Sequence, residues 1–214
     1  MNNPRVRAVL FDWDGTLADT AEPAYRCFVR MFADFGIPFD RQIYARTYSP
    51  AWQNTYRALN LHETFWTDAD AKWLSYFDEE MMAPLVEGAA AALEMLASKQ
   101  VLRAIVTSGT RRRIVRELSA HRVEHHFTHV VCGDDGPRRK PDPEALRVCL
   151  DRLGVAPEEA AYVGDSAEDV MMARAAGVFS VGIRGTYPNH DSLVAASPDF
   201  VAQSLAQAVQ HLLR

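Results

Sequence analysis

The chain has 214 residues, of which 48% are hydrophobic and 24% are charged, and this composition is typical of a folded globular protein. It carries 28 acidic against 23 basic residues, so the formal net charge is −5. Because there is no long basic or acidic block, nucleic acid and anionic membranes are poor candidates for a main partner. The sequence has no apolar run of about 18 residues, which excludes a transmembrane helix.

Three cysteines, Cys27, Cys132 and Cys149, lie far apart and form no Cys-x-x-Cys pair. We expect them to be buried free thiols rather than a disulfide or a metal-binding set. Free thiols are typical of a reducing compartment, so we expect a cytoplasmic location. The N-terminal apolar stretch runs directly into Asp12 and Asp14, which favours a β-strand over a signal peptide.

Short apolar runs alternate with helical segments along most of the chain. The predicted strands are VRAVLF (6–11), LRAIVT (102–107), HVVCG (129–133), AAYVG (160–164) and FSVGI (179–183). The predicted helical segments between them are AAAALEMLASKQ (89–100), RRRIVRELSAHRV (111–123), DPEALRVCLDRLG (142–154) and SAEDVMMARAAG (166–177). This alternation predicts an α/β fold with a doubly wound, Rossmann-like parallel sheet, in which ligands bind at the carboxyl ends of the strands.

One block, from about Ala21 to Ala83, contains helical patterns and no convincing strand. Three of the four tryptophans fall within it. A helical block placed directly after the first strand predicts an inserted all-helical cap domain, residues 20–84, on an α/β core made of residues 1–19 and 85–214. Short connectors near residues 17–22 and 84–88 would then be the hinges.

The first strand ends in a pair of acids, in the stretch FDWDGT (11–16). Asp12 ends the strand and Asp14 lies two residues later, while Gly15 permits a tight backbone turn. Two carboxylates in one pocket either raise the pKa of one of them or gather a cation. On its own, the pattern also fits an ordinary acidic turn.

Polar residues follow the later strands as well. Thr107 and Ser108 come after the second predicted strand, and Lys140 lies in a loop ahead of a helix. Asp165 ends another strand, and Asp169 lies one helical turn further on. In a doubly wound sheet these strand ends converge on one crevice. We therefore expect an oxygen-lined site for a hard cation such as Mg²⁺, beside a site for phosphate.

Four short motifs in order carry a family resemblance: DWDGT (12–16), VTSG (106–109), RRKPDP (138–143) and GDSAED (164–169). They resemble the motifs of haloacid dehalogenase-like phosphohydrolases, and the DxDGT start matches the branch of phosphoglycolate phosphatases and β-phosphoglucomutases. The resemblance covers nearly the whole chain, and the helical block matches the helical cap of that family.

The resemblance implies a role for each catalytic residue. Asp12 is expected to be the nucleophile that attacks phosphorus and becomes an aspartyl-phosphate. Asp14 would be the general acid to the leaving oxygen and then the general base for water. Thr107 and Lys140 would bind the phosphoryl oxygens during transfer.

The resemblance also implies binding residues. The expected phosphate-binding residues are Asp12, Thr16, Thr107, Ser108 and Lys140. The expected Mg²⁺ ligands are Asp12, Asp14 through its backbone carbonyl, and Asp165. Asp169 would support the metal or the lysine, although with Ser166 it also fits a helix-capping box.

The predicted function is thus a Mg²⁺-dependent phosphohydrolase that cleaves a small phosphorylated metabolite, as a monomer or homodimer. A phosphosugar mutase is an alternative, because mutases of this family share the DxDGT start. A signalling protein phosphorylated on aspartate, such as a response-regulator receiver, is a rival from another class. Receivers have about 120 residues and no helical insertion, which disfavours that alternative.

Two sets of arginines have no assigned role. Arg111, Arg112 and Arg113 follow the Thr107 loop at a helix start, and a solvated helix face is expected there. The alternative is a positive rim that steers an anionic substrate. In the cap, a substrate carboxylate or second phosphate could be recognised by Arg26, Arg30, Arg41, Arg46 or Arg57.

Overall fold

The computed structural model describes residues 6–80, 82–136 and 138–214. The strands are β1 (Ala8–Phe11), β2 (Leu102–Val106), β3 (His129–Val131), β4 (Ala160–Gly164), β5 (Phe179–Ile183) and β6 (Phe200–Ala202). They form a six-stranded sheet in the order β3-β2-β1-β4-β5-β6, in which all neighbours are parallel. The predicted doubly wound α/β fold is confirmed, and β1 and β4 flank the point where the strand order reverses.

Helices surround this sheet. Those before β2 are α1 (Ala21–Asp34), α2 (Arg41–Thr47), α3 (Trp52–Ala58), α4 (Trp66–Glu79) and α5 (Ala89–Ser98). Those after β2 are α6 (Arg111–His121), α7 (Glu144–Leu153), α8 (Ala167–Ala176), α9 (His190–Ala195) and α10 (Leu205–Leu212). Short 3₁₀ turns lie at Glu63–Phe65, Glu124–His126 and Pro157–Glu159. Among the described residues, every helix is too short or too polar to span a lipid bilayer.

The central strand β1 is buried on both faces. Val9 and Phe11 pack into a cluster with residues of α5, α6 and α10, whereas Ala8 and Leu10 pack into a second cluster with residues of α7 and α8. Because both faces are covered, the strand reads as a continuous apolar run rather than an alternating one. The three cysteines are free and buried, as predicted.

Helices α1 to α4 share a hydrophobic cluster of their own. Its buried centre includes Phe28, Met31, Phe32, Tyr56 and Trp73. The aromatic content of this block therefore follows from its need to build a small separate core. The exact domain limits, at residues 19/20 and 84/85, stay a prediction.

The two segments that join this helical block to the sheet run side by side. The Asp19 N–H donates to the Pro84 carbonyl at 2.9 Å, and the Val86 N–H donates to the Leu17 carbonyl at 2.9 Å. Ala18 and Leu85 form an antiparallel bridge between them. The block is thus attached through a narrow two-stranded neck, the place where the sequence predicts hinges.

Leu10 provides a test of the core. Its side chain is 0% exposed on the central strand, so Leu10→Ala is expected to lower the free energy of unfolding by about 2–5 kcal/mol. Val115→Ala is the control, because Val115 is 52% exposed on α6. Urea unfolding followed by circular dichroism measures both. Equal shifts in the two variants would contradict the assigned burial.

Candidate active site

Three predicted site residues lie at the same edge of the sheet. Asp12 follows β1, Thr107 follows β2, and Asp165 follows β4, and these strands are adjacent. The backbone ladder continues one residue past the strands, since the Asp12 N–H donates to Val163 at 2.9 Å. The carboxyl ends of the parallel strands thus bring together residues that lie far apart in the sequence.

Trp13 separates the two acids of the first motif and faces away from the site. Its side chain is 0% exposed, and its Nε1–H donates to Glu117 Oε2 at 2.6 Å. Asp12 and Asp14, on either side of it, both line the cavity in front of the strand ends. Burial of Trp13 therefore places Asp12 and Asp14 together on the side of the cavity.

Gly15 turns the chain directly behind the acids. Its φ of +76° lies in the left-handed region, and a Cβ there would come within 2.5 Å of Asp165 Oδ2. Both the backbone angle and the close approach of a carboxylate favour glycine at this position. The glycine of the DxDG pattern is thus needed for the packing of the site itself.

Lys140 lies between two carboxylates. Its Nζ is 2.8 Å from Asp12 Oδ1 and 2.8 Å from Asp169 Oδ1, and its side chain is only 9% exposed. Burial opposes the charged ammonium, but Asp12 and Asp169 outweigh it and raise the pKa of Lys140. The lysine is therefore held as a cation beside Asp12.

Asp169 combines the two roles considered for it. Its Oδ2 accepts hydrogen bonds from the N–H and the hydroxyl of Ser166, at 3.0 and 2.7 Å, and its N–H donates to Ser166 Oγ. This is the predicted capping box at the start of α8. The other oxygen, Oδ1, contacts Lys140. One carboxylate thus fixes both the helix start and the lysine.

Buried carboxylates crowd this end of the sheet. Asp12, Asp165 and Asp169 each offer an oxygen, and these atoms all lie within 4.8 Å of one another. Burial raises the pKa of Asp12, an effect that Lys140 opposes and that Asp169 and Asp14 reinforce. Burial and the neighbouring Asp169 and Asp12 likewise raise the pKa of Asp165 well above its usual value. The cluster can hold a metal ion, because a cation would offset this crowding with oxygen ligands around it.

The side chain of Asp14 faces a different partner. Arg113 binds it through two contacts, from Nη1 to Oδ1 at 3.0 Å and from Nη2 to Oδ2 at 2.5 Å. Arg113 is 5% exposed and also contacts Glu117 at 3.1 Å, the carboxylate that accepts from Trp13. The interpretation of Arg113 as part of a solvated helix face was wrong. A buried network holds the Asp14 carboxylate in place.

The two other arginines of that run are also paired with acids. Arg111 donates to Asp135 from Nε at 2.6 Å, and Arg112 pairs with Asp78 of α4. The positive rim considered from the sequence is therefore largely neutralised by carboxylates. Arg112 instead connects α6 to the helical block.

The predicted hydroxyl groups lie in different environments. Thr107 is buried, and its Oγ1 accepts the Gly109 N–H at 3.1 Å. Thr107 and the exposed Ser108 both line the cavity in front of the aspartates. Thr16 is fully buried and does not line it, which fits support of the turn better than contact with phosphate.

A cavity of about 410 Å³ lies between the strand ends and the helical block. Among its lining residues, sequence reasoning missed Arg113 of α6 and Tyr187 and Asn189 of the loop after β5. Asn189 Nδ2 donates to the Asp165 carbonyl at 3.1 Å, and Tyr187 stacks on Tyr48 with ring centroids 5.1 Å apart. Tyr187 and Asn189 lie in the loop after a predicted strand, and this position was the signal that could have identified them as site residues.

Comparison with known proteins assigns this arrangement to a family. The family model for haloacid dehalogenase-like hydrolases matches residues 9–183. The pyrophosphatase PpaX of Bacillus velezensis is 31% identical over 211 residues, 96% of each protein. A phosphoglycolate phosphatase of Vibrio vulnificus is 26% identical over 225 residues, covering 100% of this chain and 99% of the relative.

Solved structures agree. A haloacid dehalogenase-like hydrolase of Streptococcus pneumoniae superposes with a TM-score of 0.85 at 21% identity, covering 97% of this chain and 98% of the other, and supports the fold. CbbY of Rhodobacter sphaeroides, in complex with phosphate, has a TM-score of 0.76 at 25% identity, covering 98% and 100%. The chain belongs to the haloacid dehalogenase-like hydrolase family. The predicted family and the enzyme class, a phosphatase of that family, are thereby confirmed.

The two functions of Asp169 can be separated by mutation. Asp169→Asn removes the charge that holds Lys140, and we expect turnover to fall by about 10–100-fold, as is usual for groups that orient a reactive residue. Ser166→Ala removes the two hydrogen bonds of the Ser166 hydroxyl to Asp169 but keeps the contact of Asp169 with Lys140, and we expect it to lower stability by about 1 kcal/mol with a smaller loss of turnover. Steady-state kinetics and thermal unfolding distinguish them. Equal loss of turnover in both variants would contradict the separate role of the Lys140 contact.

Proposed function

We propose that the protein is a Mg²⁺-dependent phosphatase that cleaves a small phosphomonoester through an aspartyl-phosphate formed on Asp12. The observation that supports it most directly is the position of Asp12. Asp12 directly follows β1, its carboxylate contacts Lys140 at 2.8 Å, and it lines the cavity together with Thr107 and Asp165. The relatives named phosphoglycolate phosphatase and the phosphate-bound CbbY structure support a small phosphorylated substrate.

In the first half-reaction, an oxygen of Asp12 attacks phosphorus and the bond from phosphorus to the leaving oxygen breaks. Asp14 donates a proton to that oxygen, which leaves as an alcohol. To do so, the Asp14 carboxyl group must exchange its contact with Arg113 for the substrate. Lys140 and Thr107, which both line the cavity beside Asp12, would bind the phosphoryl oxygens during transfer.

In the second half-reaction, water attacks phosphorus and breaks its bond to Asp12. Asp14 accepts a proton from that water, and inorganic phosphate and free Asp12 result. Asp12, Thr107 and Lys140 are largely shielded from solvent, and this favours strong electrostatic contacts with the phosphoryl group. Arg113 holds Asp14 beside the cavity between the two steps.

Asp12, Asp165 and the Asp14 backbone carbonyl would hold the Mg²⁺ ion. When bound, Mg²⁺ supplies positive charge between the nucleophile and the phosphoryl group. The all-oxygen ligand set fits a hard cation. Asp169 is buried and contacts Lys140, so we assign it the supporting role of holding this lysine rather than the role of a metal ligand.

Release of phosphate from p-nitrophenyl phosphate tests the proposal. With Mg²⁺ present, we expect hydrolysis, and Asp12→Asn is expected to reduce it by about a thousandfold or more because the nucleophile is gone. Chelation with EDTA is expected to abolish activity, and added Mg²⁺ to restore it. Asp151→Asn, an exposed aspartate on α7, is the matched control and is expected to keep wild-type turnover.

The other outcomes identify the alternatives. Interconversion of sugar phosphates without release of phosphate would favour the mutase. A stable phosphoprotein without turnover would favour the signalling protein. Full activity of Asp12→Asn would overturn the assignment of the nucleophile.

The role of Asp14 is tested by the basicity of the leaving group. An alkyl leaving group such as that of benzyl phosphate needs a proton more than p-nitrophenolate does. We therefore expect Asp14→Asn to reduce kcat/KM for benzyl phosphate at least about tenfold more than for p-nitrophenyl phosphate. Equal losses for the two esters would argue that Asp14 is not the general acid.

The predicted monomeric or homodimeric state and the cytoplasmic location stay predictions. Size-exclusion chromatography with light scattering addresses the first of them directly.

A further inference from the structure

Aromatic rings line the part of the cavity that faces the aspartates. These are Phe28, Tyr48, Trp52, Trp73 and Phe77 from the helical block, with Tyr187 from the core. The rings also pack on one another, with centroid distances of 4.4 Å between Trp52 and Trp73 and 4.7 Å between Trp73 and Phe77. The wall opposite the phosphoryl site is thus apolar and well packed.

The charged groups that α4 adds to this wall are acids. Asp70 and Asp78 both line the cavity. Tyr56 donates its hydroxyl to Asp70 at 2.8 Å, and Arg112 pairs with Asp78. An anionic leaving group would therefore meet carboxylates and aromatic rings on the side of the helical block.

The arginines of the helical block are directed elsewhere. Arg26 pairs with Glu80, Arg30 with Glu79, and Arg41 with Glu22, while Arg57 lies over the Trp66 ring and Arg46 lines an adjacent cavity that shares Tyr48 and Asn189 with this one. None of the five lines the cavity at the aspartates. The hypothesis that these arginines recognise a substrate carboxylate is therefore wrong.

The cations that do line the cavity belong to the core. Lys140 is held by Asp12 and Asp169, and Arg113 is held by Asp14 and Glu117. Arg139 is exposed in the loop before Lys140 and lines the cavity. Burial raises the pKa of Asp70, and the hydrogen bond from Tyr56 and the charge of Arg139 oppose this effect. Positive charge is thus concentrated at the phosphoryl end of the cavity, and Arg139 adds a cation that interacts with Asp70.

We propose that the leaving group of the substrate is an uncharged group with an apolar or ring surface, and that it carries neither a carboxylate nor a second phosphate. This inference rests on the proposed phosphatase function. A carboxylate placed against Asp70, Asp78 and the rings would be desolvated beside two acids, and the cations near those acids, Arg139 and Arg112, already interact with them. A ring would stack on the aromatic wall, and about 410 Å³ is enough volume for it. The substrate would then differ in charge from the phosphoglycolate that names several relatives.

A matched pair of esters tests the inference. 4-Methylphenyl phosphate and 4-carboxyphenyl phosphate have the same ring and differ in the para substituent, which is uncharged in the first and negatively charged in the second. We expect kcat/KM to be at least about tenfold higher for the methyl compound, because like charges placed close together are strongly unfavourable. Benzyl phosphate is likewise expected to be cleaved faster than phosphoglycolate or pyrophosphate.

A variant of the wall tests the cause. Leu74 of α4 lines the cavity and is 40% exposed, so it tolerates a longer side chain. Leu74→Arg places a cation beside the acids, and we expect it to reduce the preference for the methyl compound by about tenfold. Leu74→Met makes a similar change in length and flexibility without the charge. A reduction seen with arginine and not with methionine identifies charge as the cause.

The outcomes separate this inference from the proposed function. Equal rates for the two aryl esters, or faster cleavage of phosphoglycolate than of benzyl phosphate, overturn the inference and leave the phosphatase proposal intact. Failure to hydrolyse any ester, p-nitrophenyl phosphate included, overturns the proposed function and the inference with it.

Discussion

The crowding of buried carboxylates at the carboxyl ends of β1 and β4 is the constraint on which the rest of the site depends. Asp12, Asp165 and Asp169 bring their oxygens within 4.8 Å of one another. Such a cluster is unfavourable unless cations offset it. Lys140 supplies one positive charge at 2.8 Å from two of these acids, and the arrangement has room for a metal among the oxygens. The fold therefore holds an excess of negative charge that a metal ion can offset, and the metal and Lys140 together can then attract an anionic phosphoryl group.

A second network makes the neighbouring acid part of the core. Arg113 joins Asp14 to Glu117, and Glu117 accepts the Trp13 indole N–H, so that α6 is fixed to the turn after β1 by buried charged contacts. Breaking a buried pair is costly because it leaves an uncompensated charge. The orientation of Asp14 is thus linked to the packing of a helix. Trp13, the residue between the two acids, is therefore a large side chain with a hydrogen-bond donor because it fills the core and donates to Glu117.

How much of the fold and the site can be predicted from the sequence depends on how far apart along the chain the contacting residues lie. Five strands and the ends that carry Asp12, Thr107 and Asp165 follow from local apolar runs, whereas β6 was missed because its short apolar run, Phe200–Ala202, is bounded directly by the polar residues Asp199 and Gln203. Arg113 reads as solvated because its helix is rich in arginine, and its partner Asp14 lies 99 residues away. The stack of Tyr187 on Tyr48 likewise joins segments that no local pattern connects. Contacts between segments that lie far apart in the sequence were the ones that sequence reasoning could not predict.

The same division explains why membership of a family fixes the chemistry more firmly than the substrate. Asp12 and Thr107, which we propose contact the phosphoryl group, lie at strand ends of the core, where their positions follow from the sheet. The wall that contacts the leaving group comes mainly from helices α1, α3 and α4, whose packing requires only that rings fill a small core. Rings and acids on that surface can change without disturbing the sheet, because function resides in sites carried by the fold. Relatives at 26–31% identity accordingly bear the names of different phosphatases. The charge on the wall, rather than a relative's name, is therefore the better guide to what this enzyme cleaves.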